Sequence, residues 1–235
     1  MKTSSNTAGC IHTPFDGFPI TRQIAGQDGN PVFIVSPRTL TPLRAKIADA
    51  LGTASTLSLA AGCLFYLQTF PIATNWAIAG LLATPLLAYP LFTAIWRFLL
   101  KTKTRIVLTP SSFKFKAGRD WQAYDRTLPH GFAVLAHDKA QTEAKRHDHL
   151  TRLAQAEGEI ISPKSYYGQA FHLCLIYAGQ RVDITTIYGR KEASAILARL
   201  QLCDGVLDTA CGINGATTLS PGDEITRQPG DLPAA

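Results

Sequence analysis

Charged residues are missing from one long part of this chain. From Ala50 to Trp96 the sequence contains no Asp, Glu, Lys, Arg or His, although the whole chain carries a formal net charge of +6. One helical crossing of a bilayer needs roughly 20 apolar residues, so this stretch is long enough for two crossings joined by a turn at Pro71. Because it contains no ionisable group that would form an ion or proton path, we expect it to act as an anchor.

We therefore predict a transmembrane hairpin over 41–100, with spans at about 49–69 and 76–99. Lys and Arg in short flanking loops mark the cytoplasmic side of a membrane; they occur on both outer flanks, and the connecting turn has none. Both termini are expected to be cytoplasmic, in a bacterial inner membrane. Trp76 and Trp96 fit the two interfacial belts.

Local signals add detail to the hairpin. Thr41 followed by Pro42 is a favourable helix start, because proline suits the first helical position. Ser58 with Gly62, and Ala79 with Ala83, have a spacing that lets two helices approach closely. The same spacing also arises from the ordinary composition of membrane helices, so both interpretations stay open.

Basic residues are concentrated directly after the second span. Seven of them and no acid occur in this segment: Arg97, Lys101, Lys103, Arg105, Lys114, Lys116 and Arg119. Such a cluster is a topology signal, a contact for anionic lipid or a nucleic-acid patch. We favour the first interpretation, keep the lipid contact as an alternative, and expect no nucleic-acid partner.

Recognisable metal and disulfide motifs are missing as well. The five cysteines are scattered without a Cys-x-x-Cys pair, which argues against a disulfide framework or a zinc site. His147-Asp148-His149 lacks the three- or four-residue spacing that places ligands on one helical face. Residues 1–20 lack the apolar core of a cleavable signal peptide. We expect no metal and no cofactor.

The hydrophobic period changes to two after the hairpin, as in half-buried strands. The predicted strands are 104–109, 112–116, 121–126, 132–136, 160–161, 170–177 and 181–188, with a turn at Gly179-Gln180. A polar helix is predicted at 138–157, opened by a capping box of Asp138 and Gln141. Apolar residues three and four apart predict a closing helix from Arg190 to Leu207. These elements form a domain over 101–208, between an irregular arm at 1–40 and a disordered tail at 209–235.

This order of elements resembles the bacterial pleckstrin-homology-like (PH-like) proteins anchored by a two-helix hairpin. The resemblance covers about 45–207 and rests on the element order, the basic strand after the second span and the closing helix. It implies an α+β membrane protein with a small antiparallel β barrel or sandwich capped by one helix. Such domains are usually binding platforms for lipids or proteins, with no catalytic residues to carry over.

Histidines supply the only candidates for catalysis. His130 with Asp125, or His172 with Asp183, would pair an imidazole with an orienting carboxylate. No Gly-x-Ser-x-Gly sequence and no phosphate-binding glycine loop accompanies them. An enzyme using His130 or His172 is therefore only an alternative.

The favoured expectation is a membrane-tethered, non-enzymatic interaction module. It would dock a cytoplasmic protein, a larger envelope assembly or a second copy of itself. Aromatic residues entering a strand and two cations at a helix start are the candidate contacts: Tyr166, Tyr167, Phe171, His172, Arg190 and Lys191. The alternatives are anionic-lipid sensing through the basic segment and the histidine-dependent enzyme.

Overall fold

The computed structural model describes residues 17–26, 30–69, 75–117, 120–161 and 163–210. These residues form an α+β fold with four helices and antiparallel sheets. Arg119, Pro71 with its turn, most of the predicted tail and the first part of the arm lie outside the described residues. The elements are β1 (Ile20–Ala25), β2 (Pro31–Ser36), β3 (Arg38–Thr39), α1 (Pro42–Thr69), α2 (Asn75–Leu99), β4 (Thr102–Lys103), β5 (Ile106–Leu108), β6 (Ser112–Ala117), β7 (Asp120–Asp125), β8 (His130–Ala136), α3 (Ala140–Ala156), β9 (Ala170–Tyr177), β10 (Gln180–Tyr188) and α4 (Arg190–Ala210).

Helices α1 and α2 pack against each other as a hairpin. Both are long and apolar enough to cross a membrane. Helix α1 begins at Pro42, as predicted, and the Thr41 hydroxyl accepts a hydrogen bond from the Arg44 N–H at 3.4 Å, which satisfies one unpaired donor of the first turn. Helix α2 contains Pro85 and Pro90 within its length.

The hairpin is inserted between two neighbouring strands of one sheet. The five-stranded sheet has the order β1-β2-β5-β6-β7, so β2 before the hairpin pairs with β5 after it. The short β3–β4 ribbon joins these strands to the helices. A second sheet has the order β10-β9-β8, and among the described residues the two sheets do not close into a barrel.

The amino-terminal region differs from the predicted irregular arm. Residues 20–25 and 31–36 are strands, and Phe33 and Val35 of β2 are completely buried. The apolar run between Pro31 and Pro37 is ordered because it pairs with β5, far away in the sequence. A domain that starts at 101 would therefore lack part of its own core.

The core lies between the two sheets and α4. Alternate residues of the strands point inward, including Phe113 and Phe115 of β6 and Leu173 and Leu175 of β9. One face of α4 covers them, as its three- and four-residue spacing predicts: Ala193, Ile196, Leu200, Cys203 and Leu207 are completely buried.

Most predicted strands and both predicted later helices are confirmed within a few residues, and three local predictions are wrong. Residues 160–161 are not a strand, and Ile160 is fully exposed. Helix α3 starts after Lys139 without a side-chain cap, so no capping box forms. The β9–β10 turn is Ala178-Gly179, whose φ angles of 49° and 80° match the two positive values of a type I′ turn.

Candidate functional site

A buried carboxylate joins the hairpin to the β domain. Asp49 of α1 is only 6% exposed. It accepts hydrogen bonds from Arg97 Nε of α2 at 3.0 Å and from the Tyr166 hydroxyl at 2.8 Å, and it also pairs with the Lys164 ammonium. A buried carboxylate without partners is strongly unfavourable, so these donors stabilise it. We call Asp49, Arg97, Lys164 and Tyr166 the junction cluster.

Close helix packing continues directly beside this cluster. A Cβ atom added at Gly52 would lie 2.6 Å from Thr93 Oγ1 and 3.1 Å from Thr93 Cα, so only glycine allows this approach. The Trp96 indole N–H donates to Ser55 Oγ at 3.1 Å. Gly62, which the sequence singles out for helix packing, faces open space. The tight contact therefore lies near Asp49, at the domain end of the hairpin.

A second carboxylate holds the loop that supplies Lys164 and Tyr166. Glu143 of α3 accepts hydrogen bonds from the backbone N–H groups of Tyr166, Tyr167 and Gly168 at 3.0, 2.6 and 2.8 Å, and from the Ser165 hydroxyl at 2.7 Å. Consecutive N–H groups of this kind form a concave site for an anion. Burial raises the pKa of Glu143, but these hydrogen bonds outweigh it and hold the pKa below its usual value.

Tyr166 therefore links three parts of the molecule. Its backbone N–H binds Glu143 on α3, and its hydroxyl binds Asp49 on α1. Burial first, and then the hydrogen bond to Asp49, raises the pKa of Tyr166 to about 12. The side chain is thus a neutral donor at physiological pH, fixed between the hairpin and α3.

The other predicted docking residues are unequally accessible. Tyr167 packs beside His137, with ring centroids 4.9 Å apart, and Phe171 packs against the core. His172 is buried. Arg190 and Lys191, at the start of α4, are exposed. Only these two cations of the predicted docking set point freely to solvent.

The predicted basic segment is divided by the fold. Arg97 pairs with Asp49, and Lys101 pairs with Glu192 of α4 at 3.0 Å. The remaining described cations of the segment are exposed: Lys103, Arg105, Lys114 and Lys116. Part of the cluster therefore has an internal structural role, and part faces solvent.

His130 does not pair with Asp125 as predicted. Asp125 accepts hydrogen bonds from Thr127, and His130 Nε2 lies 3.2 Å from Asp204 Oδ2 of α4. The same carboxylate accepts a hydrogen bond from Arg126 Nε at 2.8 Å, and Arg126 also pairs with Asp208. Burial lowers the pKa of His130, but Asp204 outweighs that effect and raises it. This ion-pair network fastens α4 to the β domain.

His172 lies near Asp183, with His172 Nδ1 3.9 Å from Asp183 Oδ2. Its Nδ1 is 3.2 Å from Thr186 Oγ1, and its buried Nε2 has no hydrogen-bond partner among the described residues. Burial, followed by the hydrogen bond to Asp183, raises the pKa of the nearby Cys174 thiol to about 12. That thiol therefore remains protonated and is a poor nucleophile at neutral pH.

The junction cluster could not be recognised from local sequence patterns. Asp49 and Tyr166 are 117 positions apart, and Lys164 belongs to no motif. The one available signal was Asp49 itself, a lone acid at the start of an apolar stretch. No group of three or more His, Cys, Asp or Glu side chains suited to a metal ion occurs in the described part of the chain.

Comparisons with known protein families, with curated proteins and with solved structures find no match to this chain.

Proposed function

We propose that this protein is a membrane-anchored, non-enzymatic interaction module. Helices α1 and α2 form its anchor, and the β domain, on the cytoplasmic side, presents the surface that binds a protein partner. The junction cluster is the observation that carries the proposal, because it fixes the β domain to the hairpin through direct side-chain contacts.

The exposure of the hairpin supports membrane anchoring. Only 11% of the apolar window of each helix is buried within the chain. Large side chains project outward: Leu57, Leu64, Phe65, Leu82, Leu86, Leu87, Leu91 and Phe98 are between 50% and 77% exposed. Soluble monomers rarely expose contiguous apolar surface of this extent. A bilayer would cover it.

The strand order supports the PH-like interpretation. Strands β2, β5, β6 and β7 form a four-stranded meander, β8, β9 and β10 form a three-stranded one, and α4 closes the core. The hairpin takes the place of the first turn of the four-stranded meander. Fold resemblance alone does not establish function, so the binding role depends on the surface.

Helix α3 is the best candidate surface for a protein partner. Leu150 and Leu153 are 40% and 51% exposed on this otherwise polar helix, and Ile161 beyond it is 45% exposed. Glu143 ties the same helix to the loop of the junction cluster. A partner that binds α3 would therefore be held at a defined position relative to the anchor.

Membrane extraction and site-specific crosslinking test the proposal. The full-length chain should resist alkaline carbonate extraction, and a photo-crosslinker replacing Leu153 should give a discrete adduct in native membranes. The same crosslinker at exposed Gln122 on β7 is the matched control. Release by carbonate would refute the anchor, and a chain recovered only as uncrosslinked monomer from both positions would refute the docking role of α3.

A further inference from the structure

The outer face of the five-stranded sheet is cationic and apolar. The side chains of Phe113 and Phe115 enter the core, so Lys114 and Lys116 project outward from the same strand. The same alternation of buried and exposed side chains occurs at the start of β5, where Ile106 is buried and Arg105 before it is exposed. This alternation is the normal consequence of the two-residue period of a strand.

Strand register arranges these cations in rows across the sheet. One row contains Arg22, Ile34, Val107, Lys114 and Ala123, which pair in that order from β1 to β7. A second row lies closer to the hairpin, because the carboxyl end of β2 leads into α1 and the amino end of β5 follows α2.

The row beside the hairpin combines cations with apolar side chains. Lys116 pairs directly with Trp121, which is 50% exposed, and Ile20 at the start of β1 is 55% exposed. Arg105 lies between these positions, immediately before the β5 residue that pairs with Phe115. We call Ile20, Arg105, Lys116 and Trp121 the basic row.

The described charges on this face near the hairpin are positive. Among described residues, no ion pair or side-chain hydrogen bond involves Arg22, Arg105, Lys114 or Lys116. Asp125 is the outward-facing acid of these strands within the described ranges; it lies at the end of β7 away from the hairpin and accepts hydrogen bonds from Thr127. Asp120, the exposed first residue of β7, precedes Trp121 at the hairpin end of the strand, where the two-residue alternation directs it to the opposite face of the sheet. The carboxylate on the same face as the basic row is therefore at the far end of β7.

We propose that the basic row binds the anionic headgroup layer of the membrane in which the hairpin is anchored. Lys and Arg next to a membrane attract anionic lipid, and tryptophan is favoured at the interface between headgroups and hydrocarbon. The inference rests on the proposed anchoring of the hairpin and adds a second, lipid-dependent contact that sets the orientation of the β domain. An acidic protein partner could bind this face at any distance from a membrane, so it would not explain why the basic row lies at the hairpin end of the sheet.

Fluorescence quenching of Trp121 tests this contact in the full-length chain. Replacing Trp76 and Trp96 by Phe leaves Trp121 as the reporter in nanodiscs that contain brominated lipid. Quenching should be strong with anionic lipid, weak with purely zwitterionic lipid, and reduced by salt because exposed charges are screened. Arg105→Gln and Lys116→Gln should each lower the ratio of docked to undocked domain about fivefold, the equivalent of roughly 1 kcal/mol per cation near an anionic surface.

A charge-matched control uses an exposed cation on another element. Lys145→Gln on α3 removes the same single charge as either variant and should leave Trp121 quenching unchanged. Equal quenching in both lipids, or no quenching in either, would overturn the proposal; the second result would favour a protein partner on this face. Incorporation into nanodiscs is measured separately, so failure of anchoring is distinguishable from failure of the lipid contact.

Discussion

Two glycines on α1 allow a matched test of how the hairpin is packed. Gly52 faces the backbone and side chain of Thr93, whereas nothing lies within 4 Å of the Cβ position of Gly62. Gly→Ala in a helix is favourable by up to about 1 kcal/mol when space is available. The two substitutions are chemically identical, so their difference isolates the contact with α2.

Gly52→Ala should destabilise the hairpin, and Gly62→Ala should be neutral or slightly stabilising. The added Cβ at 52 would lie 3.1 Å from Thr93 Cα, so the helices must separate by a few tenths of an ångström. Thr93 Oγ1 cannot turn away freely, because it donates to the Tyr89 carbonyl at 2.9 Å. Overpacking of this kind costs about 1–3 kcal/mol.

Unfolding of the full-length protein in nanodiscs, followed by amide exchange, measures both effects. Because Asp49 and Arg97 lie about one turn from this contact, Gly52→Ala should also speed exchange in the loop over 163–168. The Gly62→Ala variant should leave that loop protected. Equal stability and equal loop exchange in the two variants would refute the close approach at Gly52 and the mechanical link to the loop.

Three further predictions concern individual side chains. Tyr166→Phe should lower the free energy of unfolding by about 1.5–3 kcal/mol, because the acceptor of its hydroxyl, Asp49, is charged. The loss should exceed that of Tyr188→Phe, whose hydroxyl donates to the neutral amide of Gln169. Denaturant titration measures both losses, and equal values would contradict the role of Asp49. Glu143 has a lowered pKa, so its contribution should be complete above the usual Glu pKa of about 4.3 and be lost as the pH falls through the lower folded-state value. Glu143→Gln should flatten that acid dependence in pH-resolved melts, and an unchanged profile would exclude Glu143 as its source. Arg126→Gln should destabilise the fold by about 3–5 kcal/mol, because it leaves two carboxylates without their buried partner, and a loss below 1 kcal/mol in the same titration would count against the network.

Regular periodicity made much of the fold predictable. The alternation of Phe113 and Phe115 with lysines predicts β6, and the spacing of apolar residues predicts the buried face of α4. These patterns are local consequences of burying one face of an element. The apolar stretch likewise predicts two long helices without any tertiary information.

The features that the sequence did not predict depend on contacts between residues far apart in the chain. Strand β1 is exposed along most of its length, so it has no two-residue apolar period to reveal it. The junction cluster joins residues from α1, α2 and the loop before β9, and no local pattern relates Asp49 to Lys164 or Tyr166. The basic segment is visible as a charge cluster, but only the long-range contacts of Arg97 with α1 and of Lys101 with α4 separate its internal ion pairs from its exposed cations.

The insertion of the hairpin between β2 and β5 has a consequence for assembly and for proteolysis. During synthesis β2 emerges before the helices, and its partner β5 emerges after them, so the sheet can close only when both helices have been made. A single cut in either connection would leave both fragments joined through the β2–β5 pairing and the shared core. Separation of the hairpin from the β domain therefore requires a cut in each connection, or one cut together with the loss of Phe33 and Val35 from the core. The hairpin is in this sense part of the domain's own folding unit.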